Sequence, residues 1–315
     1  MKLRPILRIL PLFLLLCSIA AAEAFEPLPM NSTAIAPAPR DENYLSDREY
    51  RDDSISVTIT EGEYLDVHYI CARVKISHPS QLRTVPAMQV DNPNAVFSAT
   101  NTSEAECTRI ARAANAVIAV NGDYVANLSQ CNVVLRQGLQ VRNMAHGLYD
   151  VLIIDNEGNF DYIPECSAKD YITYYEAHEG AIYQAFCFGP VMVKDNDVVL
   201  GENFKNGYMI SQKLSQRTAI AQVGNLDYLL ITCDGDSQFN RTGLNIHQFA
   251  DLCLTLGREI SPDGLRMAYN LDGGNSSSLV FKTRDEDGSL VYSKLNMPER
   301  DRSLSDMICF VSLVK

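Results

Sequence analysis

The sequence predicts an α+β fold, with mixed, largely antiparallel sheet flanked by a few helices, and three observations carry that expectation. Short apolar runs recur along most of the chain, each about the length of a strand. Clusters of Asn, Asp and Gly separate many of them, as hairpin turns do. Helical periodicity with a recognisable N-cap is confined to two stretches.

The 315-residue chain opens on Lys2, Arg4 and Arg8, then an apolar stretch from Ile9 to Ile19 and a small-residue site at Ala22-Glu23-Ala24. That is the anatomy of a secretory signal peptide over residues 1–24, with an uncleaved anchor as the alternative. Leu16 disfavours a lipoprotein modification at Cys17. No later stretch is long and apolar enough to span a bilayer, so a secreted or cell-surface protein is expected, without stable membrane insertion after cleavage. Pro27, Pro29, Pro37 and Pro39 mark residues 25–53 as a flexible linker. Residues 54–315 are expected to form a single catalytic domain.

Within it, Ile55, Val57 and Ile59 alternate with polar residues as a half-buried strand does, and residues 64–76 continue in the same style. Residues 103–115 read as a helix, with Ser103 as N-cap and Glu106 completing a capping box. Residues 116–120 form a buried strand. Further strands are expected at 133–141, 151–155, 191–194, 219–222 and 228–233, with turns at 156–159 and 194–197. The second helix covers 245–256: Asn245 caps it, Gln248 closes the box, and Ile246, Phe249, Leu252, Cys253 and Leu256 line one face. Gly257 is expected to end it. Strands at 266–271 and 279–282 flank a loop rich in Gly and Ser, and a strand at 307–313 completes the domain.

A net charge of −12 argues against nucleic acid and anionic membranes as partners. It also demands that any phosphate be held by a local cluster of donors and cations. Of nine cysteines, Cys71, Cys187, Cys233, Cys253 and Cys309 sit in apolar runs and read as packed thiols. Cys107, Cys131 and Cys166 lie in polar surroundings and are the disulfide candidates. No C-x-x-C pair suggests a zinc knuckle or thioredoxin-like centre. A G-x-S-x-G elbow, H-E-x-x-H, a Walker loop and G-x-G-x-x-G are also missing from the sequence, and its five histidines are scattered. No cofactor is therefore expected, although a divalent metal at an aspartate cluster stays open.

Four polar insertions follow or interrupt apolar strands: Asn121-Gly122-Asp123-Tyr124, Arg217-Thr218, Asp234-Gly235, and Asp272-Gly273-Gly274-Asn275-Ser276-Ser277-Ser278. Strand ends hold functional side chains rigidly, though Asn-Gly and Asp-Gly are also common turns. With Gly189-Pro190-Val191, Gly243-Leu244-Asn245 and Arg302 in the same order, the chain resembles the phosphodiester glycosidase family from about Val57 to Val314. The glycine-serine loop is the most specific of these marks. Asn275 stands where a third glycine is usual, and Asn tolerates the left-handed backbone. Gln248 stands where the family often has glutamate; its capping role makes Gln an adequate structural replacement.

The resemblance implies hydrolysis of the anomeric C–O bond of a sugar-1-phosphodiester or a related surface glycan. Such chemistry needs a carboxylate to activate water or attack carbon, negative charge beside an oxocarbenium-like transition state, and donors for the phosphate. Asp272, Asp123 and Asp234 are the candidate carboxylates. Arg217, with Arg302 second, is the candidate phosphate clamp. Gly273 and Gly274 would form an anion-binding nest, Ser276 and Ser277 would add hydroxyl donors, and Asn121 would orient a sugar or an aspartate. The structural alternatives are a buried ion pair for Arg217, a turn cap for Asp234 and a polar strand entry for the serines. Two other functions stay open: a carbohydrate-binding or exopolysaccharide-assembly protein without catalysis, and a phosphodiesterase that cuts the P–O bond.

Overall fold

Strands whose residues are apolar on both sides must be covered on both faces, and three sheets arranged around one centre achieve this. The computed structural model describes residues 25–100, 103–127, 131–147, 149–200, 213–235, 242–299 and 302–315. The expected signal peptide lies outside them. The first sheet has nine strands in the order Tyr44–Ser46, Glu49–Arg51, Ile55–Tyr64, Val67–Ile76, Asp227–Cys233, Arg217–Gly224, Met267–Asn270, Val191–Lys194 and Asp197–Val198. The second runs Phe160–Ile163, Val151–Asp155, Ile182–Cys187, Val133–Arg136 and Leu139–Asn143. The third runs Leu290–Lys294, Leu279–Arg284, Ala116–Asn121, Asp306–Val311 and Leu82–Pro86. A short ribbon pairs Ala105–Glu106 with Ser303–Leu304. Every described strand pairing is antiparallel.

Alternation along the strands assigns each residue to a layer. Ile220, Leu230 and Tyr269 of the first sheet, Leu152, Ile154 and Phe186 of the second, and Ile118, Phe281, Ile308 and Phe310 of the third meet in one central core. The intervening residues face outward, where each sheet is covered by one helix. Helix α1 (Cys107–Ala113) packs on the third sheet, α2 (Ala168–Ala177) on the second and α3 (Ile246–Ile260) on the first. Each large side chain buried in this way contributes roughly 1.5–3 kcal/mol. The α+β expectation therefore holds, and it sharpens to one domain of antiparallel sheets with three α-helices among the described residues.

The boundaries differ in instructive ways. Residues 25–53, expected to be a flexible linker, are part of the fold. Tyr44 and Tyr50 are 1% and 0% exposed, and Tyr44 packs edge-on against both Tyr50 and Phe281. Upstream, the Asn115 side chain donates to Ala36 O (2.9 Å) and Arg83 Nη1 to Pro29 O (3.1 Å). This proline-containing stretch, whose prolines cannot donate to a ladder, is tied to the domain by such bonds, with a turn at Met30 and Asn31. The strand expected at 133–141 is a hairpin, turned at Gln137 and Gly138, both with positive φ. Helix α1 is shorter than expected because residues 105–106 pair as strand instead. Gly257 lies inside α3: an added Cβ would come within 2.7 Å of Leu265, so this glycine permits close packing. Cys107, Cys131 and Cys166 are not joined by disulfides. They are buried in three different apolar clusters.

Candidate active site

The Gly-Ser loop connects the first sheet to the third, and the site forms at that junction. Leu271 N–H donates to Thr218 O (2.9 Å), which keeps the loop entrance registered on the first sheet. Asn121 ties its exit to the third. The Asn121 amide donates to Asp272 O (2.7 Å), and its Oδ1 accepts from Ser278 N–H (3.0 Å). Asp272 is thus presented beside the end of strand Ala116–Asn121, next to Gly122 and Asp123. Strand Asp306–Val311 pairs with the same strand, which brings Asp306 alongside.

The result is a cleft lined by Asn121, Gly122, Asp123, Asp272 and Asp306, with Glu104, Tyr124, Ser276 and Arg302 among its other walls. Its free space is about 10 Å³, room for about one water. Gly122 is required here: an added Cβ would fall 2.8 Å from both carboxylate oxygens of Asp306.

Behind the cleft lies Arg136, at the end of strand Val133–Arg136. Its side chain is 1% exposed, and its guanidinium stacks 4.2 Å from the centre of the Phe186 ring. Nη2 donates to Asp123 Oδ1 and lies 3.4 Å from Asp306 Oδ2. Asp123 Oδ2 accepts from Cys187 N–H (3.0 Å), so both Asp123 oxygens are engaged. Asp306 is served less well. Its Oδ1 is buried without a hydrogen-bond partner. Burial pushes the Asp306 carboxyl well above the usual carboxylate range, against the pull of Arg136 and helped by Asp123 and Asp272.

Asp272 occupies the open side. Burial raises its pKa to about 6, opposed by hydrogen bonds from Ser276 and Gly273 and by the charge of Arg302. Gly273 N–H donates to Asp272 Oδ1 (2.8 Å), and exposed Arg302 donates from Nη1 to Ser276 Oγ (3.3 Å). Two carboxyl groups, those of Asp123 and Asp306, therefore share one buried guanidinium, and a third, that of Asp272, lines the same cleft with the Arg302 guanidinium on its wall.

Among the residues expected from sequence, Asp123, Asp272, Asn121, Ser276 and Arg302 line this cleft. The others do not. Arg217 is 4% exposed and donates to the backbone carbonyls of Leu244 (3.1 Å) and Lys213 (2.8 Å). These bonds tie it to Lys213, just before its own strand, and to Leu244, just before helix α3, and it is not among the residues lining this cleft. Asp234 lies elsewhere, accepting from His68 Nδ1 at 2.9 Å at the end of the first sheet. No nest forms at Gly273 and Gly274, because their N–H groups donate to Asp272 Oδ1 and Gln216 O. Ser277 Oγ is turned inward to Thr218 Oγ1 (2.8 Å). Gly274, not Asn275, takes the positive φ in the loop. Gln248 closes the cap of α3 as expected, with its N–H donating to Asn245 Oδ1 (2.9 Å), and is remote from the cleft lining.

Sequence reasoning missed Arg136 and Asp306. Both carry a faint signal, a charge inside Val133-Val134-Leu135-Arg136 and at the head of Met307-Ile308-Cys309-Phe310. A charge placed within a buried strand requires a partner, and these two share one.

A cleft lined by carboxyl groups offers the kind of side chain that a glycosidase-type hydrolase uses. Residues 114–311 match the family model of the phosphodiester glycosidases, and the chain belongs to that family. The fold is similar to the zebrafish N-acetylglucosamine-1-phosphodiester alpha-N-acetylglucosaminidase catalytic domain, a structure auto-inhibited by its pro-peptide. That likeness covers 85% of this chain and 86% of the other, at 17% identity and a TM-score of 0.59. A hypothetical protein from Synechocystis is less similar, at 15% identity and a TM-score of 0.47 over 82% of this chain and 62% of its own. No curated protein matches the chain in sequence.

Proposed function

We propose that the protein is a secreted phosphodiester glycosidase that hydrolyses the anomeric C–O bond of a sugar-1-phosphodiester in a cell-surface or extracellular glycan. The observation that supports this most is the convergence of Asp123, Asp272 and Asp306 on a cleft whose mouth carries Arg302 and Ser276. Asp272 is the carboxylate that acts at the anomeric carbon. It sits next to the water-sized space and becomes ionised near neutral pH. Asp123, held by Arg136, supplies fixed negative charge to the oxocarbenium-like transition state. Arg302 and the Ser276 hydroxyl receive the phosphate, meeting the need for a local cation on an acidic protein. Export is part of the proposal and rests on residues 1–24.

The test is hydrolysis of a panel of sugar-1-phosphodiesters in oxygen-18 water. Label is expected in the released sugar. Label in the phosphate would make the protein a P–O-cleaving phosphodiesterase. Tight sugar binding without release would make it a carbohydrate-binding protein.

A further inference from the structure

Asp306 is the group in the cleft that the foregoing reading leaves without a task. It is 1% exposed, it lines the cleft, and its Oδ1 makes no hydrogen bond. A carboxylate oxygen stripped of both water and donors is an unfavourable place for charge. A carboxylic acid in the same position carries its own donor, and Asp306 is among the residues that line the water-sized space of the cleft. Counting charges points the same way. The only guanidinium buried in the cluster is Arg136, and it commits its short hydrogen bond to Asp123 while standing 3.4 Å from Asp306 Oδ2. Arg136 is therefore committed to Asp123, and Asp306 is the carboxyl of the pair that retains a proton.

We propose that Asp306 is the proton donor of this site, protonating the leaving oxygen as the anomeric C–O bond breaks. The inference rests on the glycosidase reading. As the bond breaks, its electron pair goes to the phosphate oxygen, which takes the Asp306 proton and leaves as a phosphomonoester. Water bonds to the anomeric carbon and gives a proton to Asp272. The proton that Asp306 donates equals the one Asp272 gains, and passage back through the cleft resets both groups. Proton delivery serves a second purpose here: it spares a doubly charged leaving group from developing among carboxylates. The groups facing Asp306 are Arg136 at 3.4 Å, Asp123 as the other carboxyl that Arg136 holds, Asp272, Arg302, Glu104 and Tyr124 among the cleft residues, and Cys309 on its own strand. Burial and the two neighbouring aspartates both favour the protonated form.

Asp306→Asn keeps the shape and a hydrogen-bond donor but cannot release a proton. On a sugar-1-phosphodiester it should lose about 10²–10⁴-fold in kcat. On a 2,4-dinitrophenyl glycoside of the same sugar, whose departure needs little protonation, it should lose less than about tenfold. The high-pH limb of the phosphodiester profile should vanish in the variant. Equal losses on both substrates mean a structural role, and no loss on either means no role; both overturn the proposal. A second measurement does not depend on turnover. The infrared difference spectrum of wild type minus Asp306→Asn at neutral pH should show the carbonyl stretch of a protonated carboxyl. A carboxylate signal there overturns the proposal even if the protein folds and turns over normally. If wild type releases sugar from no phosphodiester, the glycosidase reading fails, while the infrared result still decides where the proton sits.

Discussion

Arg136 and Arg217 stand at the ends of two buried strands, and their surroundings make them different instruments. Arg217 meets the backbone carbonyls of Leu244 and Lys213, and burial lowers its pKa to about 10. These carbonyl dipoles help to fix its position. Arg136 is buried as deeply, yet it meets Asp123 and Asp306, and those carboxyls line a cleft. Its charge therefore acts on carboxyl groups that line the cleft. The same residue type in the same strand setting is an anchor in one place and an electrostatic control in the other, according to what faces it.

Replacing each arginine by methionine tests that contrast most severely. Arg136→Met leaves Asp123 without its ion pair in a dry interior and should cost about 3–5 kcal/mol. Arg217→Met removes hydrogen bonds from carbonyls and should cost about 1–3 kcal/mol. Urea midpoints with unchanged slope measure both. Equal losses would mean that Arg136 too is only an anchor.

Next in size is Asp272→Asn. It should lower turnover of a sugar-1-phosphodiester by about 10²–10⁴-fold with the fold intact. Near-wild-type turnover with a normal melting curve would remove Asp272 from the chemistry.

The third contrast is in pH. The Asp272 carboxyl binds its proton more tightly in the folded state, with a pKa of about 6. Between the ordinary carboxylate range and about pH 6 the folded state therefore holds more protons than the unfolded one, and stability falls as pH rises through that window. Activity should move the opposite way, increasing as Asp272 ionises. Asp272→Asn should flatten the stability change between about pH 4 and pH 7, as seen in thermal midpoints across that range. A wild-type midpoint that climbs steadily with pH would contradict the burial of this group.

How much of this was legible beforehand depends on how local the signal was. The strand-and-turn grammar at 151–155, 156–159 and 191–194 is local, and it matches the structure. The capping box of α3 is local too. Asp272 and Asp123 could be nominated because each follows an apolar run and precedes or follows glycine. Arg136 and Asp306 could not, because their meaning lies in each other and they are 170 residues apart. The Tyr44 and Tyr50 strands were obscured by prolines upstream, since composition averages over the two side chains that decide burial. Arg217 shows the converse: a motif can be recognised in sequence while its described side-chain bonds go to backbone carbonyls and not to the cleft lining.

The smallest effect belongs to Asp234, the aspartate that sequence grouped with Asp123 and Asp272. It contacts His68 at 2.9 Å, with the two side chains 30% and 40% exposed. Asp234→Asn should change stability by no more than about 1 kcal/mol and leave kcat/KM within about twofold of wild type. A partly exposed pair gains little over hydration, and no described side chain links it to the cleft lining. A loss comparable to that of Asp272→Asn would place Asp234 back among the catalytic carboxylates. It would also mean that the cleft around Asp306 is only part of the working site.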